Sequence, residues 1–323
     1  MTKLLGAFVP SAKQPAWLKK IRCPQCATKS KLSALPARKG HWGAWGRPGV
    51  KCSRCKETYP VVEGGILRMV PKGDYARYAY WEALHKNVDS RAQVALYERR
   101  FSAPRKVLDA LLCLPRLSRK AGWKNHASSV ELGCGWGIYS LSLAKAGLLK
   151  EIWLLDISVS ALKGTQAVFR HFGFEPFLLQ GEIHQLPFQD NAFEVSLSGG
   201  LYEHFVGEEQ AQLVHENCRI SHKVLNEIPV GSLAYWIYRK FFTWWWGQWP
   251  FGFEVPLTRS RLRALYENEG MTVRAWDYHN LATAGLGALG ERLPSLKGLA
   301  AWRPFFFYLV RHDLCIAVER KRA

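Results

Sequence analysis

The 323 residues, 48% of them hydrophobic, suffice for a full α/β core with a small extra domain. The longest aromatic-rich stretch, Ser232 to Gly247, is interrupted by Arg239 and Lys240 and falls short of the ~20 apolar residues of a membrane span, which excludes a transmembrane helix. The net charge of +19 is concentrated at one end: residues 1–72 hold 15 Lys and Arg against 2 acids, leaving 30 against 24 for the remainder.

The first twenty residues have a brief apolar run followed by Pro10, Pro15 and lysines, without the apolar core and cleavage site of a secretory signal. A cytoplasmic protein is expected. A basic patch this dense attracts anions, whether RNA, a membrane surface or an acidic partner protein; the alternative is a solvated face that serves solubility. Four of the eight cysteines form two C-x-x-C pairs, a spacing that suits a metal in a reducing compartment. Cys113, Cys134, Cys218 and Cys315 are scattered and read as small buried residues.

Cys23-Pro-Gln-Cys26 and Cys52-Ser-Arg-Cys55 place two thiolate pairs on short turns, and four sulfurs complete a closed tetrahedral Zn²⁺ shell. Such a zinc is structural, since no coordination position stays open. The 25 residues between the pairs exceed the usual ribbon spacing, and the surplus around His41 reads as a glycine-rich hairpin insertion. His41 is a further candidate ligand, although the cysteines already suffice. With Tyr59-Pro-Val-Val-Glu-Gly-Gly-Ile-Leu-Arg-Met closing it, the segment over roughly 21–71 resembles the small zinc-binding Trm112-like family. That resemblance implies a module that serves methyltransferases as a partner or is fused in front of them.

From about Ser128 short apolar runs alternate with helical patterns, the signature of a doubly wound parallel sheet. Strands are expected at Ser129–Leu132, Glu151–Ile157, Glu194–Ser198, Val224–Pro229, Val273–Trp276 and Leu314–Glu319, with one more leading into Gly181. Helices are expected at Ile138–Ala146, from the N-cap Ser158 to Phe172, at Glu208–His222 and at Thr258–Glu269. The chain thus divides into a basic zinc ribbon over 1–72, a helical linker or cap over 73–127, and a cofactor-binding domain over 128–323 with an aromatic insertion at 231–256.

Glu131-Leu-Gly133-Cys-Gly135-Trp-Gly137 is a glycine-rich turn from the first strand of that domain into its first helix, where backbone can approach a ligand closely. A dinucleotide fingerprint requires a third glycine where Ile138 stands, and the Gly-Lys-Ser/Thr of a P-loop is absent. S-adenosylmethionine has no phosphates; it carries a carboxylate, an ammonium group and a sulfonium. An acid at the strand end and a loop without Lys or Arg then make electrostatic sense. Glu131 suits the ammonium directly or through water, Asp156 at the end of the second strand suits the ribose hydroxyls, and Glu182 after the third suits the adenine amino group.

In order, these stretches resemble the class I S-adenosylmethionine-dependent methyltransferases, in particular the type 11, ubiquinone-type branch, over roughly 125–230. The resemblance implies a Rossmann-like seven-stranded α/β sheet. It puts Glu131, Gly133, Gly135 and Gly137 at the methionine end, Asp156 at the ribose and Glu182 at the adenine, with Ile157 and Ile183 as further cofactor-binding residues. Phe193-Glu194 replaces the common Phe-Asp of the fourth strand.

Methyl transfer from a sulfonium is an in-line displacement, so the protein contributes mainly by positioning and by excluding water. Where the acceptor must lose a proton, the candidate base is His204 in Gly199-Gly-Leu-Tyr-Glu-His-Phe205; the alternative is a histidine that packs on the cofactor or caps a helix. Tyr139 and Tyr202 are lesser candidates for shaping the acceptor pocket. The aromatics between Tyr235 and Phe253 suggest a lid over a small apolar or aromatic acceptor or a membrane-docking rim, against a lid packed on the core or on the mate in a homodimer. Asn280–Pro304 could complete that cap. Two other functions compete: ribosomal RNA base methylation, and a non-catalytic zinc scaffold.

Overall fold

The computed structural model describes residues 15–26, 31–36, 40, 43–71, 76–102, 113–231, 233–249, 252–279 and 313–320. His41 and the Asn280–Pro304 stretch lie outside them. Strands β5 (His126–Leu132), β6 (Leu149–Asp156), β7 (Phe177–Gln180), β8 (Phe193–Gly199) and β9 (Ser221–Pro229) are all parallel. Strand β11 (Asp313–Arg320) runs antiparallel between β9 and β10 (Met271–His279).

Helices cover this sheet: α3 (Cys113–Lys120), α4 (Ile138–Lys145), α5 (Val159–His171), α6 (Glu208–Ile220) and α8 (Arg259–Asn268). Their ends follow local chemistry. Ser158 Oγ accepts from Ala161 N–H at 3.0 Å to start α5, and Thr258 Oγ1 accepts from Arg261 N–H at 3.2 Å to start α8. Two further helices, α1 (Ala76–Lys86) and α2 (Ser90–Phe101), fill the region expected to be helical, and the aromatic insertion holds α7 (Leu233–Trp246). No helix among the described residues is long and apolar enough to cross a membrane.

The sheet order is β7-β6-β5-β8-β9-β11-β10, so the direction of winding reverses between β5 and β8 and leaves a crevice at their carboxyl ends. The sheet does not stop at β7. Strand β4 (Ile66–Arg68) pairs parallel with β7, Ile66 opposite Leu178, and β3 (Thr58–Val62), β2 (Gly49–Cys52) and β1 (Leu32–Ala34) continue antiparallel beyond it. The four-cysteine module therefore forms the edge of one eleven-stranded sheet.

The apolar core is continuous across that junction. Trp45 is fully enclosed, edge-on to Trp17, Trp153 and Phe177 with centroids 5.1–5.2 Å away, and its Nε1–H donates to Leu178 O at 3.2 Å. Cys134 and Cys218 are buried and unpaired, as expected. Cys113 and Cys315 are buried as well, but they are also joined: α3 packs across β11 and brings the two Cα atoms to 6.7 Å, where they form a disulfide. A sequence separation of 202 residues hid the pairing.

The shared core makes Trp45 a test of unity. Trp45→Ala is expected to cost about 3–5 kcal/mol while far-ultraviolet dichroism and tryptophan fluorescence still report one coincident urea transition. Two separated transitions would show that the halves fold independently.

Candidate active site

The turn after β5 is shaped by glycines at positive φ, where a side chain is strained. Gly133 sits at φ +59°, and a Cβ there would lie 2.9 Å from Leu201 Cδ1; Gly137 sits at φ +68°, where a Cβ would lie 2.7 Å from the Phe169 ring. Asp156 at the end of β6 fixes the turn from outside. Its Oδ2 accepts from Gly135 N–H and its Oδ1 from Ser158 N–H, each at 2.8 Å. Burial pushes the Asp156 carboxyl up, and these backbone donors oppose the shift.

A cavity opens beside this turn. Its walls include Gly133, Gly135, Asp156, Ile157, Glu182 and Ile183, which the sequence nominated, together with Gly199, Gly200, Leu201, His204 and Phe205 from the loop after β8. No Lys or Arg is among them, whereas two carboxylates are. That donor set fits a ligand of net positive charge and opposes a polyphosphate. Burial raises the Glu182 carboxyl, but hydrogen bonds from the His184 side chain and backbone outweigh it and leave the group below the usual carboxylate range.

Four nominated residues have other surroundings, among them Gly137, which packs against Phe169 away from the cavity wall. Glu131 is enclosed behind the turn, where its Oε2 accepts from Ser140 N–H at 2.8 Å at the start of α4, and it does not line the cavity; any contact with a ligand ammonium is indirect. Tyr202 is fully buried, its hydroxyl bonded to Tyr266 Oη at 3.1 Å and to Asn217, so it supports the floor instead of shaping a pocket. Tyr139 packs on Gly199, where a Cβ would be 2.1 Å from its ring, and its hydroxyl donates to Glu227 Oε1 at 2.8 Å. Both tyrosines stand behind the cavity wall.

His204 does line the cavity. Its Nδ1 lies 2.7 Å from Phe253 O, which can only accept, so Nδ1 carries a proton and Nε2 is the nitrogen left for the lone pair of the neutral ring. The Trp81 ring meets His204 edge-on at 5.0 Å. Trp81 and His85, both on α1, are wall residues that the sequence reading did not nominate. His85 Nδ1 donates to Trp81 O at 2.8 Å, and Glu82 clamps the helix by accepting from Ser158 Oγ at 2.8 Å and Ser160 N–H at 3.2 Å. The single hint was compositional: an aromatic and a histidine four apart on one predicted helix.

The four cysteines also converge. The ligand atoms of Cys23, Cys26, Cys52 and Cys55 all lie within 4.8 Å of one another, with Cys23 and Cys55 sulfurs 3.7 Å apart and Cys26 and Cys52 sulfurs 4.0 Å apart. Zn–S bonds of about 2.3 Å in a tetrahedron require sulfurs about 3.8 Å apart, so this cluster could hold zinc. The Tyr59 hydroxyl lies 3.0 Å from Cys23 Sγ, within reach of a ligating thiolate.

Comparison with known proteins agrees with this geometry. Residues 130–223 match the family profile described as a methyltransferase domain. Among solved structures, a mycolic acid cyclopropane synthase complexed with S-adenosylhomocysteine and CTAB superposes at TM-score 0.52 with 14% identity, covering 76% of this chain and 99% of that one. Phosphoethanolamine N-methyltransferase 2 of Haemonchus contortus, in complex with S-adenosyl-L-methionine, superposes at 0.51 with 13% identity, covering 78% and 61%. At such identities the likeness concerns the fold. No curated protein matches in sequence. The chain thus carries an S-adenosylmethionine-dependent methyltransferase domain, matched over residues 130–223, in a Rossmann-like α/β sheet.

Glu131 provides a protonation test. Burial pushes its carboxyl up to about 7, so it is partly protonated at neutral pH. A cationic ligand nearby favours the carboxylate, so its arrival pulls that value down and releases a proton. Calorimetric enthalpies of S-adenosylmethionine binding at pH 7 are expected to differ between phosphate and Tris, and the difference to shrink in Glu131→Gln. Identical enthalpies for the wild type would show that no proton moves.

Proposed function

We propose that the enzyme transfers the cofactor's methyl group to a small apolar or aromatic acceptor that enters beside His204. The cofactor supplies an activated methyl on a sulfonium leaving group. The backbone of the glycine turn after β5 receives the methionine end of the cofactor, and Glu131 acts behind it by stabilising the turn and its positive neighbour. Asp156 accepts from the ribose hydroxyls with the lone pairs that Gly135 and Ser158 leave free. Ile157 and Ile183 flank the adenine, and Glu182 accepts from its amino group.

On the acceptor side His204 Nε2 takes a proton where the acceptor has one to lose. Support comes from one observation above the rest: the Phe253 carbonyl fixes the tautomer of a histidine that faces the same cavity as Asp156 and Gly135. Trp81 excludes water from that side and gives the acceptor an apolar wall. His204→Ala is expected to lower kcat by roughly 10²–10⁴-fold while S-adenosylmethionine affinity stays within about twofold; unchanged kcat would remove the base from the mechanism. The readout is S-adenosylhomocysteine release once an acceptor is in hand, with calorimetry for affinity.

We further propose that the N-terminal module is a Trm112-like ribbon whose zinc is structural. Its ligand turn supports the adenine loop: Arg22 N–H donates to Pro187 O at 3.0 Å, and Gln185 Nε2 donates to Pro24 O at 2.6 Å, on either side of Cys23. Loss of the metal thus loosens the loop that carries Glu182. The purified chain is expected to contain about one zinc, and its chelation to weaken S-adenosylmethionine binding several-fold and lower Tm. Unaltered affinity after verified zinc removal would uncouple the two sites.

A further inference from the structure

Helix α7 turns a row of its described apolar side chains outward. Trp236, Ile237, Phe241, Trp244 and Trp245 recur at the spacing of one helical face and are all exposed, Trp244 and Trp245 at 75% and 65%. An ordinary surface helix does the reverse. The opposite face is held by polar bonds to one buried acid, Glu254: Tyr235 Oη and Trp249 Nε1 each donate to its Oε2 at 2.8 Å, and Arg239 Nη1 donates to its carbonyl at 3.0 Å. The helix is fastened on one side and leaves a continuous aromatic ridge on the other. Phe253, whose carbonyl holds His204, is exposed as well.

The charge around the ridge selects its occupant. Helix α7 itself carries Arg239 and Lys240 and no acid, and the acid that fastens it, Glu254, is buried. Lys240 lies within the exposed row, and the Arg239 guanidinium sits 5.6 Å from the Trp236 and Trp249 ring centres. Tryptophan is the side chain that settles at the headgroup level of a bilayer, apolar ring inward and N–H toward water. An aromatic face flanked by cations, on a helix of 14 residues that is too short to span, is the pattern of a helix lying in the plane of an anionic interface. A second copy of the chain would bring like charge against like.

We propose that α7 docks the enzyme on an anionic lipid bilayer, with the mouth of the cavity beside the membrane surface. Docking does not depend on the methyl-transfer reading, and its test does not use activity. The full-length chain is sedimented with vesicles of phosphatidylcholine alone and of phosphatidylcholine with 30 mol% phosphatidylglycerol in about 0.1 M salt, as wild type, as Trp244→Ser with Trp245→Ser, and as Lys240→Glu. Both sites are exposed, and unchanged circular dichroism and S-adenosylmethionine affinity show that the variants remain folded. The expected result is strong binding to the phosphatidylglycerol vesicles with a blue shift of tryptophan emission, at least tenfold weaker partitioning of the double variant, and several-fold weaker partitioning of Lys240→Glu. Equal binding of wild type and double variant would assign vesicle attraction to the basic ribbon and overturn the proposal. So would absence of binding, or a dimer seen by light scattering that the tryptophan substitutions dissociate.

Discussion

The site depends on one carboxylate that has no cation among its hydrogen-bond partners. Asp156 ends β6 with each oxygen on a different backbone N–H: Gly135 in the glycine turn and Ser158 at the start of α5. Both donors belong to segments whose own amides would otherwise lack partners, and the helix N-terminus favours negative charge there. Glu82 uses the same helix end, taking the Ser158 hydroxyl and the Ser160 amide, so α1 hangs from the point that Asp156 organises. Trp81 and His85 flank Glu82 on that helix. The far wall of the cavity is thereby a consequence of strand-end chemistry.

The edge of the sheet reaches the same point by another route. Arg68 of β4 donates through Nε to Gln180 Oε1 at 2.8 Å, and Gln180 Nε2 donates to Ile157 O at 2.9 Å. A residue of the cysteine module thus positions the residue after Asp156 through a single glutamine. With the contacts of Arg22 and Pro24 to the loop between Gly181 and Phe188, the module stiffens two of the three loops that form the cofactor side. A module of this size can bury little core of its own. This one completes a core begun by its neighbour, through Trp17 and Trp45 against Trp153.

How much of this was legible follows from the range of the signals. Strand and helix patterns after residue 125 are local, and every expected element there is present, with edges shifted by at most about three residues. The cofactor residues were legible because a chemical demand, a sulfonium in place of a phosphate, sorted the glycine motifs. Pairing of β4 with β7 was not, since strand pairing leaves no local mark. The fused core follows from that pairing, as Trp45 meets Trp153 across more than a hundred residues. Tyr139 and Tyr202 illustrate the same limit. Their positions flank the right loop, but burial decides whether a hydroxyl faces ligand or protein, and burial is a property of the assembled core.

The aromatic insertion shows where composition misleads about direction. A run of Trp, Phe and Tyr reads as a lid because large rings usually close over something. Here described inward contacts are polar, and three consecutive residues carry a chain of them. Phe253 offers its carbonyl to His204, Glu254 binds α7 through Tyr235, Trp249 and Arg239, and Val255 N–H donates to Glu203 O at 2.7 Å. Glu254 is thus the joint between an outward-facing helix and the histidine at the cavity. Its desolvation is tolerable because at least two donors share the carboxylate. An apolar residue at that position would leave the Tyr235 hydroxyl and the Trp249 N–H without that acceptor. The cost would fall on the orientation of α7 and on the backbone that orients His204, so the helix and the histidine are mechanically one unit.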